Sequence, residues 1–268
     1  MIKQSTYAQM LNKVPEVTLY FWIIKVLATT VGETFADYLS TTLNLGLVLT
    51  SWVMTGLFVA ALIVQLVTRR YIPAVYWIVV VLISVVGTLT SDLLVDKLGM
   101  GLKTSTMLFG GILILVFLFW WLSERTLSVH SIVTTKRELF YWAAILFTFA
   151  LGTSAGDLAA EASKLGYANS VLMFAGAIAV TALAYYLFKI NGVLAFWIAY
   201  ILTRPLGASM GDLLSQAKAD GGLGLGTTVT SAIFLLTILA LVAFLSITKK
   251  DVIDLEDPNR RTKWELSS

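Results

Sequence analysis

The chain has 268 residues, of which 58% are hydrophobic and only 13% are charged, and its mean hydropathy is +0.84. Such an apolar composition excludes an ordinary soluble domain. The absence of cysteine excludes disulfides and thiolate metal ligands. The net charge of +3 gives no sign of a nucleic-acid partner, and none is expected. The composition predicts a polytopic helical protein whose main partner is the lipid bilayer.

Eight apolar stretches follow one another along the chain, and each is long enough to cross a hydrocarbon core about 30 Å thick. They cover residues 17–44, 47–68, 71–95, 105–123, 138–162, 168–188, 191–216 and 226–247. The first stretch is too long for a cleaved signal sequence, so we expect it to remain as a helix. We predict a single transmembrane domain over residues 1–248 and a cytoplasmic tail over residues 249–268.

Lysine and arginine are concentrated in the loops on one side of the predicted membrane, as at Arg69, Arg70, Arg125 and Lys189. The positive-inside rule places this side in the cytoplasm. We therefore expect a multi-pass protein of the bacterial inner membrane with both termini in the cytoplasm.

One pattern, Trp-x9-Gly-x4-Asp, occurs four times with unchanged internal spacing. Its copies are Trp22/Gly32/Asp37, Trp77/Gly87/Asp92, Trp142/Gly152/Asp157 and Trp197/Gly207/Asp212. The glycines lie 55, 65 and 55 residues apart, which indicates four repeats of two helices at about residues 14–70, 71–125, 137–189 and 190–248. Two crossings per repeat give every copy the same orientation, as in parallel transporter repeats.

This repeat pattern predicts an all-α fold of eight transmembrane helices. We expect four parallel tandem helical hairpins around a pseudo-fourfold or twofold axis along the membrane normal. The helices that carry the pattern, here called motif helices, are expected inside. The second helices are nearly free of polar groups and are expected towards lipid.

The motif aspartates belong to polar helix faces, since positions four residues apart share a face. These faces read Glu33/Asp37/Thr41, Thr88/Asp92/Asp96, Thr153/Asp157/Glu161 and Ala208/Asp212/Gln216. Small residues before each aspartate allow the helices to approach closely. Carboxyl groups inside a membrane are costly and usually mark an ion path or a binding site.

Carboxylate-rich sites without thiol or imidazole suit Mg²⁺, Ca²⁺ or Mn²⁺, and also Na⁺ or H⁺. We predict that the four motif aspartates bind a cation directly and that Asp96 and Glu161 are entry or secondary ligands, with Glu33 on the same face. Four aspartates near one axis would repel one another, so a cation or protons must sit among them. Alternatively, each aspartate caps its own helical turn near the outer interface.

The four tryptophans lie near the basic side of the predicted membrane. An aromatic belt at the inner interface explains them without a ligand. The alternative is a ring of indoles that narrows the inner end of a pathway and gates it. The four glycines indicate close packing or a shared flexing point.

Two charges break the fourfold pattern. Lys25 lies three residues after Trp22, where the second and third copies have Val80 and Ile145. It either points inward or extends to the interface. Arg204 precedes Pro205 and could pair with a carboxylate such as Glu33. An inward-pointing charge could act as a surrogate cation in an empty site, which would favour coupled transport over an open pore.

The four copies resemble a bacterial membrane family described as a repeat of unknown function. Its members have four tandem copies, each with two transmembrane segments and a shared tryptophan. The aromatic pairs here are Phe21-Trp22, Tyr76-Trp77, Tyr141-Trp142 and Phe196-Trp197. The resemblance covers residues 17–248; it implies the fold and carries no activity.

The leading functional hypothesis is a cation transporter, with a divalent metal such as Mn²⁺ as substrate. A cation channel and a proton- or sodium-coupled transporter are close alternatives. An intramembrane aspartyl hydrolase fits poorly because it needs one aspartate pair, not four equal sites. We therefore expect neither an enzyme nor a prosthetic group. A cation-binding scaffold or sensor remains an alternative, and a homodimer is left open.

Overall fold

The computed structural model describes residues 13–251, except the side chains of residues 161 and 162. Within these residues eight helices are long and apolar enough to cross a membrane. They are α1 (Leu19–Asp37), α2 (Leu47–Val67), α3 (Pro73–Asp92), α4 (Leu102–Glu124), α5 (Thr135–Asp157), α6 (Tyr167–Phe188), α7 (Gly192–Ser215) and α8 (Thr227–Thr248). The prediction of an all-α membrane protein with four two-helix repeats is confirmed. Residues from 252 onward in the predicted tail lie outside the described part.

The first three motif helices end at their motif aspartate and then widen into a π-helical turn. These turns are Tyr38–Thr42, Leu93–Lys97 and Leu158–Ala162. In the fourth copy the α-helix continues past Asp212 to Ser215. π-helical turns are rare in proteins, and those that occur are frequently at functional sites. We call this end of the bundle the aspartate end and the opposite one the tryptophan end.

The motif helices α1, α3, α5 and α7 form a closed inner ring in which each packs against both neighbours. Between 56% and 61% of each motif helix is buried. The outer helices α2, α4, α6 and α8 are only 11% to 28% buried, and large apolar side chains cover their exposed faces. The prediction that motif helices lie inside and second helices face lipid is confirmed.

Each outer helix packs mainly along the motif helix of the next repeat. α2 lies on α3, α4 on α5, α6 on α7, and the last outer helix, α8, returns to the first motif helix, α1. The main partner of an outer helix is therefore not the motif helix of its own repeat. Sequence spacing identified the two helices of each repeat, but it carried no information about this shift in partner.

The motif glycines are the points where neighbouring motif helices touch. An added Cβ would overlap the residue three positions before the glycine of the next copy, in cyclic order. The pairs are Gly32 with Ser84, Gly87 with Phe149, Gly152 with Arg204 and Gly207 with Thr29. Small residues allow this close approach between membrane helices. The packing interpretation of the glycines therefore holds at all four copies.

We expect Gly87→Ala to destabilise the bundle by about 1–3 kcal/mol, the usual cost of an extra methyl group in a well-packed core. Its Cβ would overlap the Cβ of Phe149 and approach the Ala150 backbone nitrogen to 3.2 Å. The measurement is the free energy of unfolding in mixed micelles. Gly176→Ala is the matched control because no atom lies within 4 Å of its added Cβ. Equal stability of the two variants would contradict the packing argument.

The two ends of the described chain meet at the tryptophan end. The backbone nitrogen of Glu16 donates to the Asp251 carbonyl at 3.0 Å, and the Tyr71 hydroxyl donates to Asp251 Oδ2 at 2.5 Å. Burial raises the pKa of the Asp251 carboxyl above its ordinary value. Lys13 forms an ion pair with the buried Glu138 at 2.7 Å. The segment before α1 is thus held by Asp251, after α8, and by Glu138 of α5.

Candidate functional site

Arg204 occupies the centre of the inner ring and is fully buried. Its guanidinium donates to Glu33 Oε2 at 2.9 Å, to Thr153 Oγ1 at 2.6 Å and to Thr88 Oγ1. A further bond reaches the Thr29 carbonyl at 3.3 Å. The ion pair between Arg204 and Glu33 is the one that the sequence analysis proposed. Arginine suits this position because its planar fork offers several donors in fixed directions.

The partners of Arg204 are equivalent positions of different repeats. Glu33, Thr88 and Thr153 each follow the motif glycine of their copy, and the fourth copy has Ala208 there. Three motif helices therefore present an oxygen at the same level, and the fourth supplies the guanidinium that binds them. One charged side chain thus ties all four repeats together where the glycines bring the helices closest.

Three carboxyl groups converge just above Arg204, towards the aspartate end. One oxygen each from Glu33, Asp157 and Asp212 lies within 4.8 Å of the others. Glu33 and Asp212 are 6% and 7% exposed, and Asp157 is half-buried. The three residues come from three different repeats, and this spacing would allow one cation to contact all three.

The remaining predicted ligands lie beside this group. Asp92 is close enough to Glu33, Asp37 and Asp96 to interact electrostatically. Asp96 is exposed, whereas Asp37 and Asp92 are half-buried. Glu33 is near both sets of carboxyl groups. The side chain of Glu161 lies outside the described part of the structure, so its predicted role stays a prediction.

The capping interpretation of the aspartates is not supported at the two copies where it can be checked. Asp37 and Asp92 each precede a π-helical turn, and neither side chain makes a capping hydrogen bond to that turn. At these two positions the carboxyl group does not cap the turn that follows it.

The tryptophans lie in a buried aromatic layer, so the prediction of a lipid-facing belt was wrong. Trp77, Trp142 and Trp197 are 1% to 4% exposed, and Trp22 is half-buried. The aromatic residue before each tryptophan contacts the tryptophan of the next copy. The ring centroids are separated by 5.7 Å in Phe21–Trp77, 5.6 Å in Tyr76–Trp142, 6.3 Å in Tyr141–Trp197 and 5.7 Å in Phe196–Trp22. These contacts form a cyclic aromatic layer at the tryptophan end. The alternative interpretation, a ring of indoles that gates a pathway, stays a prediction.

Lys25 points into the bundle and is fully buried, so its side chain does not extend to the membrane interface. Its Nζ lies 4.3 Å from the ring centroid of Phe149 and 4.2 Å from that of Tyr200. Among the described residues, Nζ has no hydrogen-bond partner. It sits between the aromatic layer and Arg204, whose guanidinium carbon is 5.7 Å from the same Phe149 ring.

Sequence reasoning missed Phe149 and Tyr200, which form the surroundings of Lys25. Tyr200 lies three residues after Trp197, and so occupies the position of Lys25 in the fourth copy. Phe149 occupies the position of Arg204 in the third copy, three residues before Gly152. Aligning the four copies residue by residue would have identified both. It would not have shown that they meet across the ring.

Along the central axis, the layers follow the order of the motif. Going from the tryptophan end, the aromatic layer comes first, then Lys25 and then Arg204 with its partners. The carboxyl groups come last. Tryptophan and aspartate of one copy are fifteen residues apart, which corresponds to about 22 Å of helix. The structure thus places a buried aromatic layer at one end and partly exposed carboxyl groups at the other end of one ring of helices.

The chain matches a protein family described as Repeat of Unknown Function (DUF347) in four segments, residues 20–71, 75–126, 140–191 and 195–251. Each segment contains one motif helix and the outer helix that follows it. No curated protein and no solved structure matches the chain. The family description carries no activity, so function must be argued from the site. With four matched segments across most of its length, the protein belongs to this family of membrane-spanning helical repeats.

Proposed function

We propose that the protein is a membrane transporter of cations, with a divalent metal such as Mn²⁺ as the leading substrate. The observation that supports this proposal is the convergence of Glu33, Asp157 and Asp212, whose carboxyl oxygens lie within 4.8 Å of one another. Carboxylate oxygens are the ligands that hard and borderline divalent cations prefer. In this proposal Asp37 and Asp92 complete the acidic layer, and Asp96 lies at its entrance.

Charge balance supports a cation substrate. Glu33 and the four motif aspartates bring five carboxyl groups to the aspartate end, whereas Lys25 and Arg204 are the interior cations of the described bundle. Carboxylates in a membrane interior are costly without compensating charge. A bound cation, or protons on some of the carboxyl groups, would supply that charge. Mn²⁺, Mg²⁺, Ca²⁺, Na⁺ and H⁺ all fit this requirement, and the donor set favours the divalent ions.

The closed aromatic layer favours a carrier over an open channel. Tyr76 and Tyr141 are fully buried and their hydroxyl groups are hydrogen-bonded at 2.5 Å, which supports the proposal that this layer is the closed gate of a carrier. The half-buried carboxyl groups lie at the other end. A carrier requires such a difference in access between its two ends, and the tryptophan ring would be the gate that must open. Arg204, already paired with Glu33, would act as the surrogate cation when no ion is bound.

Sidedness is part of the proposal. The basic loops lie at the tryptophan end, so by the positive-inside rule this end would face the cytoplasm, in the bacterial inner membrane. The aspartate end would then face outward, and the conformation described here would be the outward-accessible one. The direction of net transport depends on the gradients of the transported cation and of the ion exchanged for it.

The test is a flux measurement in proteoliposomes loaded with a metal-sensitive dye. Mn²⁺, Mg²⁺, Ca²⁺ and Zn²⁺ are offered in turn, with and without a pH gradient. The wild type is compared with a variant in which all four motif aspartates are changed to asparagine, Asp37/Asp92/Asp157/Asp212→Asn. We expect saturable flux of one or more ions in the wild type and leak-level flux in the variant, because asparagine keeps the shape but removes the charge.

Asp220→Asn is the matched control, since Asp220 is an exposed carboxylate in the turn between α7 and α8, at the aspartate end of the bundle. It should transport like the wild type. Leak-level signals in the wild type for every ion, under both pH conditions, would overturn the transporter proposal. A non-saturating flux that ignores counter-ions would indicate a channel instead.

A further inference from the structure

Lys25 is a buried cation of the inner ring whose surroundings do not explain its charge. It is fully buried, and Nζ lies between the aromatic faces of Phe149 and Tyr200 at 4.3 Å and 4.2 Å. Ring faces attract a cation, but they do not accept the hydrogen bonds that an ammonium group needs. Within residues 13–251, Nζ has no hydrogen-bond acceptor and no paired carboxylate.

Such a position suits a lysine that gains and loses a proton during a cycle. An ammonium group buried without acceptors costs far more free energy than the neutral amine does. Lysine also changes its charge state more readily than arginine when it is buried. The charged group next to it is an arginine, and guanidinium groups do not lose their proton in proteins. A positive charge on Lys25 would be repelled by Arg204, which is close enough to interact with it electrostatically.

The ionisable groups around Lys25 can be assigned helix by helix. On α7 they are Tyr200 and Arg204, on α3 Tyr76 and on α5 Tyr141; α8 has no ionisable residue in Thr227–Thr248. On α1 itself, Glu33 lies two turns away and is held by Arg204. The carboxyl cluster is therefore on the far side of Arg204. On the near side lie the tyrosine hydroxyl groups and, further towards the tryptophan end, Asp251 and Glu138, which is paired with Lys13.

These hydroxyl groups form a series through the otherwise apolar layer. Tyr200 interacts electrostatically with Tyr141, and the hydroxyl of Tyr141 is hydrogen-bonded to that of Tyr76 at 2.5 Å. The ring of Tyr76 lies 5.9 Å from that of Tyr71, whose hydroxyl donates to Asp251 at 2.5 Å. The series begins near Lys25 and ends at a carboxyl group at the tryptophan end. Two hydrogen bonds, Tyr141–Tyr76 and Tyr71–Asp251, belong to this series, whereas the Tyr200 hydroxyl has no hydrogen-bond partner among the described residues. Hydroxyl groups can pass on a proton but not a metal ion.

We propose that Lys25 binds and releases the proton that is exchanged for the transported cation, and that the tyrosine hydroxyl groups of the aromatic layer connect it to the tryptophan end. The step is a proton transfer to the lone pair of Nζ and back, and no other bond changes. This inference rests on the proposed transport function. A proton on Lys25 adds positive charge beside Arg204 and disfavours a cation in the carboxyl cluster. Proton and cation therefore occupy the protein alternately, which is the requirement for antiport.

The test follows metal and protons together in proteoliposomes that contain a metal-sensitive and a pH-sensitive dye. We expect wild-type Mn²⁺ flux to be accompanied by proton movement in the opposite direction. In Lys25→Met, Mn²⁺ flux driven by a pH gradient should fall by about tenfold, and fewer protons should move per Mn²⁺. Ile145→Met is the matched control, because Ile145 is the buried residue at the same position of the third copy. It should keep both wild-type values.

Equilibrium Mn²⁺ binding in detergent separates this inference from the proposed function. Lys25→Met should still bind Mn²⁺, since its carboxyl cluster is intact. The pH dependence of this binding should be weaker than in the wild type, because the lysine proton no longer competes with the cation. Tyr141→Phe removes one hydroxyl group of the series and should slow proton-coupled flux while leaving Mn²⁺ binding unchanged. Lys25→Gln provides an equivalent test if the methionine variant does not fold.

Two outcomes overturn the inference in different ways. Wild-type Mn²⁺ flux with an unchanged proton-to-metal ratio in both Lys25 variants would show that the proton is carried elsewhere, and the transport function would stand. A wild-type protein that neither binds nor moves a cation would overturn the proposed function, and the proton site with it.

Discussion

Replacing Arg204 with alanine is expected to cost about 3–5 kcal/mol of the free energy of unfolding, the typical effect of breaking a buried ion pair by removing one partner. The change leaves Glu33 buried at the centre of the ring without its guanidinium, 2.9 Å away in the native protein. It also removes the donor shared by Thr88 and Thr153 and the side chain against which Gly152 packs. Unfolding by denaturing detergent in mixed micelles measures the effect.

A double-mutant cycle isolates the ion pair from the packing. Arg204→Met keeps most of the volume and should still be strongly destabilising, because Glu33 remains unpaired. Adding Glu33→Gln should restore most of the lost stability, since it removes the buried charge. If the double variant is as unstable as Arg204→Met alone, the Arg204–Glu33 pair is not what holds the ring centre together. Unchanged transport and pH dependence in Arg204→Ala would also remove its role as surrogate cation.

The second large effect is expected at Asp212, the most buried of the motif aspartates whose carboxyl groups converge. Asp212→Asn should weaken Mn²⁺ binding by about 100-fold. Removing a residue that only hydrogen-bonds to a metal ligand typically lowers metal affinity by about 10–100-fold, and removing the charge of a direct ligand should lower it at least as much. The charge count of a site is also a main determinant of its affinity for divalent cations. Calorimetry or Mn²⁺ electron paramagnetic resonance in detergent measures this change.

Asp96→Asn is the informative comparison for Asp212→Asn. Asp96 is exposed at the entrance, so it is expected to slow cation entry more than it weakens equilibrium binding. Raising the salt concentration should remove most of the Asp96 effect and little of the Asp212 effect, since exposed charges are screened more strongly. Equal losses of affinity at the two positions would mean that the acidic face is a general attractive surface and contains no defined site.

The architecture was predictable because the bilayer constrains the sequence strongly. Apolar length fixes the number of crossings, and the repeat spacing fixes the parallel orientation of the copies. The inner position of α1, α3, α5 and α7 followed from their polar residues, since lipid does not accept them. The glycine pattern indicated close packing, and the structure adds which residue each glycine contacts.

The side-chain arrangement was less predictable because it depends on the rotation of each helix about its own axis. The tryptophans lie at the depth expected of an interfacial belt, yet Trp77, Trp142 and Trp197 face inward. The depth of Lys25 was equally compatible with the interface, but its actual direction is set by the gap between Phe149 and Tyr200. The position of a residue along an apolar stretch predicts its depth in the membrane. The direction in which its side chain points depends on the residues of the neighbouring helices.

The acidic site lies between these cases. All four motif aspartates were expected to be equivalent, and the repeat itself gave no reason to distinguish them. The asymmetry arises from single residues: Glu33 replaces a threonine in the first copy, and Arg204 appears only in the fourth. These two exceptions pair with each other, and Asp157 and Asp212 are the motif aspartates whose carboxyl oxygens lie within 4.8 Å of Glu33. The departures from the repeat, more than the repeat, define the candidate site.

The packing of each outer helix on the following repeat makes the fold independent of where the chain starts. Because α8 returns to α1, and residues 16 and 251 are joined by a backbone hydrogen bond, the helices form a closed cycle. A circularly permuted chain that opens in the loop between α4 and α5 would therefore recreate every contact of the ring. A fragment of two repeats, by contrast, would leave one motif helix and one outer helix without partners, and two such fragments would have to interlock to cover them.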